Sequence, residues 1–374
     1  MRAAIRVAGF FGLMLASGLS FADLQLNMSP GVTSFSQGAY EIHQMVMWIC
    51  VVIGVVVFGA MIYAIINHRK SKGAVAASFH ENATVEVVWT VIPFLILIAM
   101  AVPATEVLLE MEDTSNSDMS IKVTGYQWKW HYDYLGEDVS FFSNLTTPRE
   151  QITGEAEKSE HYLLEVDNKL VIPEDKKVRL LFTANDVIHS WWVPAFGLKK
   201  DAIPGFINEG WIEVPEPGIY RGKCAELCGK DHGFMPVVVE VKSEEDYVAW
   251  LSAQKAEAAE AAASAEKTWT MAELMSHGQK VYTTACAACH QINGEGLPNV
   301  FPGLKGSPVI VGDVATHIDV VINGVMKDGK PTAMQAFGAQ LNDADLAAVI
   351  TYERNAWGND TGDVVQPSDI KAAR

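Results

Sequence analysis

Two long uncharged apolar segments constrain the fold of this chain of 374 residues more than any other feature. The first covers residues 45–66, about 22 residues or roughly 33 Å as a helix. The second covers residues 87–105, about 19 residues. Two such runs in succession favour membrane spans over buried helices of a soluble protein. Pro93 and Pro103 lie in the second run, where proline kinks a membrane helix more often than it ends one.

The segment between the two runs predicts their orientation. Residues 68–72 read HRKSK, a basic cluster of the kind that stays in the cytoplasm. The two spans therefore form a hairpin whose two ends, and everything after about residue 110, lie outside the cytoplasm. Glu86 stands at the cytoplasmic start of the second span, where an acid is either an interfacial charge or a group that passes protons.

The first residues are typical of a secretory signal. Arg2 and Arg6 precede an apolar run that ends near Leu15, and Ala22 closes an approximate A-x-A cleavage site. The alternative is a third membrane anchor, but the run is short for a full span. We expect residues 1–22 to be a signal peptide, with the approximate cleavage site before Asp23.

Charge and cysteine content limit the partners and the chemistry. The chain has 28 Lys and Arg against 45 Asp and Glu, a formal net charge of −17. Nucleic acid binding needs a basic surface, so we expect no nucleic acid partner. An acidic surface suits a basic protein partner, or serves solubility. Five cysteines are few and odd in number, which argues against a disulfide scaffold.

Composition divides the chain into a membrane part and two soluble units. A hairpin covers residues 23–112, and residues 113–251 are rich in Val, Ile, Trp and Tyr with Pro/Gly turns, as in an antiparallel β-sandwich. Residues 252–268 are almost entirely Ala, Glu, Lys and Gln, typical of a helical or semi-rigid linker. Helical spacing returns in a small all-α unit, residues 269–360, before a tail, residues 361–374. Asn342 or Asp343 is expected to cap its last helix.

Soft metal ligands are concentrated in the β-rich unit. The segment CAELCGKDHGFM, residues 224–235, follows an isolated histidine at the edge of a β segment. Two thiols, two imidazoles and a thioether select copper over magnesium or calcium. A second cysteine allows two thiolates to bridge two copper ions, each capped by one histidine. The candidate ligands are His189, Cys224, Cys228, His232 and Met235.

Other interpretations of this segment remain open from the residues alone. The last four ligands are spaced like one stripe of a helix, although Gly229, Gly233 and Pro236 disfavour a helix. A disulfide between Cys224 and Cys228 leaves both histidines unexplained. Zinc also accepts two cysteines and two histidines.

With its histidine, the pattern C-x-E-x-C-G-x-x-H-x-x-M resembles subunit II of haem–copper respiratory oxidases. The resemblance covers about residues 40–250 and includes VEVVWT at 85–90 and GYQWKW at 125–130. It implies a cupredoxin-like sandwich holding a dinuclear copper A centre, with Cys224 and Cys228 bridging and His189 and His232 each binding one copper. Met235 and the Glu226 carbonyl are then weak axial ligands.

The same resemblance implies roles around the copper centre. The Glu226 side chain would help to hold magnesium at the border with subunit I. Trp128 would be the surface residue through which electrons enter, although the residues alone favour an ordinary core or surface aromatic. Glu86 would lie at the mouth of a proton pathway. The segment at residues 198–205 resembles the family's contact with subunit I, but Phe206 follows it where the family has Arg.

Residues 286–290 form a C-x-x-C-H motif, the attachment signal for c-type haem. Cys286 and Cys289 are expected to bind the haem covalently and His290 to bind its iron. A thioredoxin-like pair is the alternative, but no βαβ pattern surrounds the motif. Residues 269–357 resemble a class I cytochrome c, whose distal methionine often lies in a Met-Pro-x-Phe-Gly loop.

The distal iron ligand has three candidates: Met334, Met326 and no ligand. The loop reads MQAFG at residues 334–338, with Gln335 in the place of the proline, and Met334 is preferred. Methionine raises the haem potential relative to histidine.

Together these features predict subunit II of a caa-type oxidase with a fused cytochrome c domain. The chain would pass electrons from a cytochrome c donor through one haem c and two copper ions to subunit I, where oxygen is reduced with proton translocation. It would lie in a bacterial inner membrane beside other oxidase subunits, with both centres periplasmic. Alternatives are the copper-containing subunit of a nitric oxide reductase and a membrane-anchored copper chaperone. The fifth cysteine, Cys50, lies in the first span as a small apolar residue.

Overall fold

A computed structural model describes residues 27–75, 78, 80–298, 300–327, 330–332, 334, 336–338 and 340–374. The expected signal peptide, Asp23 and Gln335 lie outside the described residues. The first two elements are long helices, α1 (Ser34–Asn67) and α2 (Ala83–Glu112), separated by a 3₁₀ turn at Lys70–Lys72. Both predicted spans lie within these helices, which are long and apolar enough to cross a membrane. Both prolines are accommodated inside α2.

The ends of both helices away from the basic turn are fastened to the soluble part of the chain. Thr33 caps α1, and its hydroxyl also donates to the Phe196 carbonyl at 2.8 Å. The Trp211 indole N–H donates to the Glu110 carbonyl at the end of α2 at 3.0 Å, and Lys200 pairs with Glu112 at 2.8 Å. The buried contacts at Thr33 and the long-range indole bond hold the sandwich in a defined position on the hairpin.

Ten strands form the soluble unit that follows, arranged as two five-stranded sheets. Alternating buried residues, as in β5, place one face of each sheet in a common core. One sheet has the order β3-β2-β1-β5-β8 and the other β4-β10-β9-β6-β7. The strands are β1 (Met119–Tyr126), β2 (Lys129–Tyr134), β3 (Val139–Ser143), β4 (Leu170–Pro173), β5 (Val178–Ala184), β6 (His189–Val193), β7 (Leu198–Ala202), β8 (Asn208–Ile212), β9 (Gly218–Cys224) and β10 (Pro236–Lys242).

Two strand pairs depart from the expected antiparallel arrangement. Strand β1 pairs with β5 in parallel, and β4 pairs with β10 in parallel. Parallel neighbours need a long connection, and here the chain passes through several other strands before it returns. A short helix, α3 (Arg149–Thr153), lies on the connection between β3 and β4. The core between the sheets contains the buried rings of Trp130, Tyr132, Phe182 and Trp191.

A long helix joins the sandwich to the last unit. Helix α4 (Glu244–Glu266) packs Tyr247 and Trp250 against the sandwich core, and Lys255 pairs with Glu137 at 2.5 Å. At its other end, the Ser264 carbonyl accepts from the Trp269 indole at 2.9 Å. The Ala/Glu-rich segment is therefore a continuous helix that contacts both units.

The last unit is mostly helical, and its principal contact is between its first and last long helices. Helices α5 (Met271–Ala285) and α9 (Asp343–Asn355) cross at Gly278, where a Cβ would lie 2.1 Å from the Ala348 carbonyl oxygen. Asn342 caps α9, one of the two predicted caps. Between them lie α6 (Ala287–His290), α7 (Pro308–Val311), α8 (Val314–Asn323), β11 (Met326–Lys327) and β12 (Lys330–Pro331).

The final residues pack on this unit. Helix α10 (Pro367–Ala373) buries Ile370, and Val365 just before it is also buried. Arg354 fixes the segment, because its buried guanidinium donates to Asp363 and to the carbonyls of Ile310 and Gly312. The residues expected to be a tail thus complete the core of the helical unit.

Candidate copper and haem centres

Three neighbouring strands bring the predicted copper ligands together. His189 begins β6, and Cys224 ends β9, the strand paired with β6. Strands β9 and β10 are also paired and antiparallel, so the loop between them lies at the end of these two strands. The Cys224 amide donates to the Met235 carbonyl at 3.2 Å and closes this loop.

Each of the five side chains lies within 4 Å of at least one other. Cys224 Sγ is 3.9 Å from His189 Nδ1 and 3.8 Å from Cys228 Sγ. Cys228 Sγ is 3.3 Å from His232 Nδ1 and 3.5 Å from Met235 Sδ. The ligand atoms of His189, Cys224 and Cys228 all lie within 4.8 Å of one another, a spacing that one metal site or a pair of ions fits. The Glu226 carbonyl oxygen is 3.4 Å from Cys224 Sγ.

The candidate copper ligands differ in their burial. His189, both cysteines and Met235 are buried, whereas His232 is half-buried and Glu226 is exposed. Soft donors buried together without a disulfide fit a soft metal, and no disulfide joins the cysteines. Leu227 beside them is 78% exposed, so the loop presents an apolar tip to its surroundings.

Polar neighbours hold the copper ligands in position. His189 Nε2 is 2.8 Å from Asp186 Oδ1, which leaves Nδ1 turned towards Cys224. The Asp186 carboxylate also accepts from the backbone amides of Gln127 and Val187, each at 2.7 Å. The Gln127 side chain donates to the Cys228 carbonyl at 2.8 Å. These contacts orient the ligands much as outer partners orient ligands in known metal sites.

The same contacts shift the protonation of the ligands. Burial lowers the pKa of His189, but the hydrogen bond to Asp186 and the nearby Cys224 raise it to about 9. Burial raises the pKa of Cys224, and hydrogen bonds from His189 and backbone amides more than reverse this, so the thiol pKa is lowered. Burial and the adjacent Cys224 raise the pKa of Cys228 to about 12. Metal binding at this site must therefore release protons.

Trp128 lies against the copper loop. A Cβ added at Gly229 would be 3.1 Å from Trp128 Cζ2 and 2.9 Å from Gln127 Nε2, so only glycine leaves room for the indole here. Trp128 is partly exposed and packs against the sandwich core. The ring therefore connects the surface to the backbone next to Cys228. Glu86 lies in the first turn of α2, at the opposite end of that helix from the sandwich.

The second candidate centre is a cavity of about 470 Å³ in the helical unit. Cys286, Cys289 and His290 lie on one side of it, at the end of α5 and in α6. His290 Nδ1 is 2.9 Å from the Pro302 carbonyl, which leaves Nε2 as the ring nitrogen free to bind a metal. Burial raises the pKa of the Cys286 thiol, and the charge of Glu353 raises it further.

The walls of this cavity suit a large apolar cofactor with a few polar contacts. Most of the side chains that line it are aliphatic or aromatic. Met334 lines the cavity, whereas Met326 is 60% exposed and is not among the lining residues. Two thiols, an oriented imidazole and a thioether in one apolar cavity fit a covalently attached haem.

Sequence reasoning missed several residues of both centres. Asp186 precedes His189 by three residues, and this spacing was the available signal for a partner of the imidazole. Gln127 reaches the copper loop only through the fold. His317, to which the sequence assigned no role, lines the haem cavity and pairs with the buried Glu353. His277 pairs with Asp345 at 2.6 Å between α5 and α9.

Comparison with protein families matches three parts of the chain. Residues 119–242, from β1 to β10, match "Cytochrome C oxidase subunit II, periplasmic domain". Residues 22–107 match "Cytochrome C oxidase subunit II, transmembrane domain". Residues 273–352 match "Cytochrome C oxidase, cbb3-type, subunit III".

Individual relatives agree with these matches. A probable cytochrome c oxidase subunit 2 of Rickettsia bellii is 38% identical over 68% of this chain and 94% of its own length. Cytochrome c oxidase subunit 2 of Cereibacter sphaeroides is 34% identical over 65% of this chain and 88% of its own length. The crystal structure of the periplasmic domain of subunit II of the Bradyrhizobium japonicum oxidase is 39% identical, covers 38% of this chain and 98% of that one, and has a TM-score of 0.35.

These findings bear out the predicted multidomain fold, with a membrane anchor, a β-sandwich and a helical C-terminal unit of cytochrome c type. The periplasmic-domain match implies a copper A centre, and the C-terminal match implies a haem c. Because both subunit II matches and the curated relatives span the hairpin and the sandwich, the chain belongs to the cytochrome c oxidase subunit II family and is a subunit of an oxidoreductase.

Proposed function

We propose that this chain receives electrons from a cytochrome c at its helical unit and passes them through the sandwich to subunit I of the oxidase. The observation that carries this proposal is the presence of two buried sites in one chain, each with the donor set of a one-electron carrier. Oxygen chemistry then belongs to subunit I, and this chain supplies the path by which electrons arrive.

In the sandwich, Cys224, Cys228, His189 and His232 would hold two copper ions. Bound copper supplies one-electron redox chemistry shared between two ions. The protein holds the donors rigidly, because β6, β9 and β10 are paired and Asp186 and Gln127 fix the imidazole and the loop. A rigid site changes little between oxidation states, which favours fast electron transfer. The proposed ligands are Cys224, Cys228, His189, His232, Met235 and the Glu226 carbonyl.

In the helical unit, Cys286 and Cys289 would hold the haem covalently, and His290 and Met334 would bind its iron. A bound haem supplies a one-electron carrier. The Pro302 carbonyl fixes the orientation of the His290 ring, and the apolar cavity excludes water from the carrier. Exclusion of water and a methionine ligand both influence the reduction potential of a haem.

Electron input to the sandwich is assigned to Trp128, whose ring lies between the surface and the backbone beside Cys228. The net charge of −17 suits a basic cytochrome c as donor. Helix α4 keeps the haem-bearing unit attached to the sandwich, so electron transfer between the two needs no encounter in solution.

Subunit I is the proposed partner of the copper loop and of the neighbouring segment. Leu227, Phe206 and Ile207 are all more than half exposed, and exposed apolar side chains suit a protein interface. The carboxylate of Glu226, exposed beside the copper ligands, is available to a magnesium ion at that interface. The apolar surface of α1 and α2 faces lipid and other oxidase subunits.

Orientation follows from charge. The basic turn at Lys70–Lys72 stays on the cytoplasmic side, which places the sandwich and the helical unit in the periplasm. Glu86 then lies at the cytoplasmic end of α2 and takes the role of an acid at the mouth of a proton pathway. The proposed domains are the hairpin, residues 23–112, the sandwich, residues 113–251, and the helical unit, residues 269–374. The helical unit includes residues 361–374 because Val365 and Ile370 belong to its core.

A purified oxidase complex containing this chain tests the function. Reduced cytochrome c should drive oxygen consumption, and Cys228→Ser should abolish it without loss of the covalent haem. Nitric oxide consumption in place of oxygen consumption would favour the reductase alternative. Met334→Ala should remove the spectrum of a methionine-ligated haem, and Met326→Ala should not; the reverse would assign the distal ligand to Met326.

A further inference from the structure

A buried histidine–carboxylate pair lies in the wall of the haem cavity. His317 on α8 and Glu353 on α9 are 1% and 4% exposed, and His317 Nε2 is 2.9 Å from Glu353 Oε2. Both side chains line the cavity that contains the C-x-x-C-H cysteines. Ionisable groups are rarely buried to this degree without a specific reason, because desolvation opposes the charged form.

One nitrogen of this pair is unsatisfied. His317 Nδ1 is buried and has no hydrogen-bond partner among the described residues. An ionised carboxylate only accepts, so Nε2 carries the hydrogen of the bond to Glu353 and the unpartnered Nδ1 is the site where a proton can be added. The pair therefore has two forms in the wall of the cavity. One carries a net negative charge, and the other, with Nδ1 protonated, is neutral.

Other charged and titratable groups near the pair are fixed or neutral. From α5, Tyr282 and Cys286 face Glu353, and after burial its charge is the next cause that raises the pKa of each. Arg354, next along α9, is committed to Asp363 and to two backbone carbonyls. Asp313, which caps α8, accepts from Thr316. The thiol of Cys286 would be consumed by haem attachment, so among the described side chains named above the pair is the one that can respond to a change of charge in the cavity.

We propose that His317 and Glu353 form a proton-binding pair whose protonation is linked to the oxidation state of the haem. This inference rests on the proposed function, in that a haem must occupy the cavity. When one electron from the donor cytochrome reaches the haem site in the cavity, His317 Nδ1 takes one proton from solvent and an N–H bond forms. When the electron leaves, that bond breaks and the proton returns to solvent. Each cycle leaves the total charge of the cavity unchanged.

The direction and size of the effect follow from linkage. Reduction favours the protonated pair, so the midpoint potential of the haem falls as the pH rises. Coupling between two sites typically corresponds to a 5–150-fold change in affinity, here the affinity of the pair for a proton. At about 59 mV per tenfold change for one electron, the plateaus at low and high pH differ by about 40–130 mV.

The test is a redox titration of the covalent haem in the purified full-length subunit at pH values from 5 to 9. The spectrum recorded beforehand establishes whether haem is attached, so failure of the proposed function is seen separately from failure of this inference. The wild-type midpoint should fall with pH by the amount given above. Glu353→Gln removes the charge and keeps the shape, so it should abolish the slope and raise the midpoint at high pH only. His317→Gln should also abolish the slope.

A matched control is His277→Gln, since His277 also pairs with an acid, Asp345, but is 35% exposed and is not among the residues lining the cavity. This variant should keep the wild-type slope. A wild-type midpoint that does not change with pH would overturn the inference, whether or not the variants fold. The same conclusion would follow if both cavity variants kept the slope, or if the control lost it.

Discussion

Replacing Asp186 by asparagine tests how the copper ligands are held in place. The carboxylate accepts three hydrogen bonds, from His189 Nε2 at 2.8 Å and from the amides of Val187 and Gln127 at 2.7 Å. The two amides bond to different oxygens, and asparagine has one oxygen. In one orientation the NH₂ group of the new amide faces the Gln127 N–H. In the other it faces the Val187 N–H and the His189 imidazole.

The bond to His189 is partly buried, whereas the two amide bonds are exposed, so the expected cost comes mainly from the lost orientation of the imidazole. Loss of an outer partner of a metal-binding histidine typically costs 10–100-fold in metal affinity, which is about 1.4–2.8 kcal/mol. We expect Asp186→Asn to weaken copper binding by this factor while the haem spectrum stays unchanged. Competition against a copper chelator, read in the near-infrared, measures the affinity in the full-length subunit.

Asp167→Asn is the matched control for this prediction. Asp167 also accepts three hydrogen bonds, from the Asn144 amide, the Asn144 side chain and the Asn168 amide. Its partners are not copper ligands, so its replacement should change the unfolding midpoint without changing copper affinity. Equal copper affinity in Asp186→Asn and wild-type protein, or an equal loss in both variants, would refute the role given to Asp186.

Three further predictions concern packing, protonation and stability. In Gly125→Ala the new Cβ would lie 2.7 Å from the His189 ring. Such overpacking costs about 1–3 kcal/mol, so the copper content should fall. In the control Gly233→Ala the new Cβ would have no atom within 4 Å, so the copper content should stay at the wild-type value. Copper affinity of the metal-free chain should rise about a hundredfold per pH unit between pH 6 and 8, because copper displaces two protons, that of His189 (pKa about 9) and that of Cys228 (pKa about 12). An affinity independent of pH would contradict this. Arg354→Met should destabilise the helical unit by about 3 kcal/mol, because it leaves Asp363 and two backbone carbonyls without their donor. Thermal unfolding followed at the haem band measures this loss. A loss of stability below about 1 kcal/mol would show that the C-terminal segment does not depend on Arg354.

The side chains that the structure brings together at the two candidate centres could be picked out from the sequence, because each set is close in sequence or of an unusual chemical type. Cys224, Cys228, His232 and Met235 occupy one short loop, and the C-x-x-C-H motif is contiguous. The two spans were visible for a similar reason, since the absence of charge over a bilayer thickness is a local property. In each case the residue types alone exclude most alternatives.

Contacts between distant segments were not predictable in this way. Gln127 reaches the Cys228 carbonyl across 101 residues, and His317 reaches Glu353 across 36. The parallel pairing of β1 with β5 likewise depends on the path of the whole chain, which alternation along a strand does not specify. The packing of Val365 and Ile370 was hidden because a short segment with few apolar residues among polar ones resembles an exposed tail until its partner surface is known.

Metal analysis with a visible and near-infrared spectrum of the full-length subunit decides whether the chain carries both electron carriers. We expect two copper ions and one covalent haem per chain, with a near-infrared band from the oxidised copper pair that disappears on reduction. Cys224→Ser and Cys228→Ser should each remove that band and leave the haem. One copper ion per chain with an intense blue absorption would contradict the account, because it would mean that a single thiolate binds the metal.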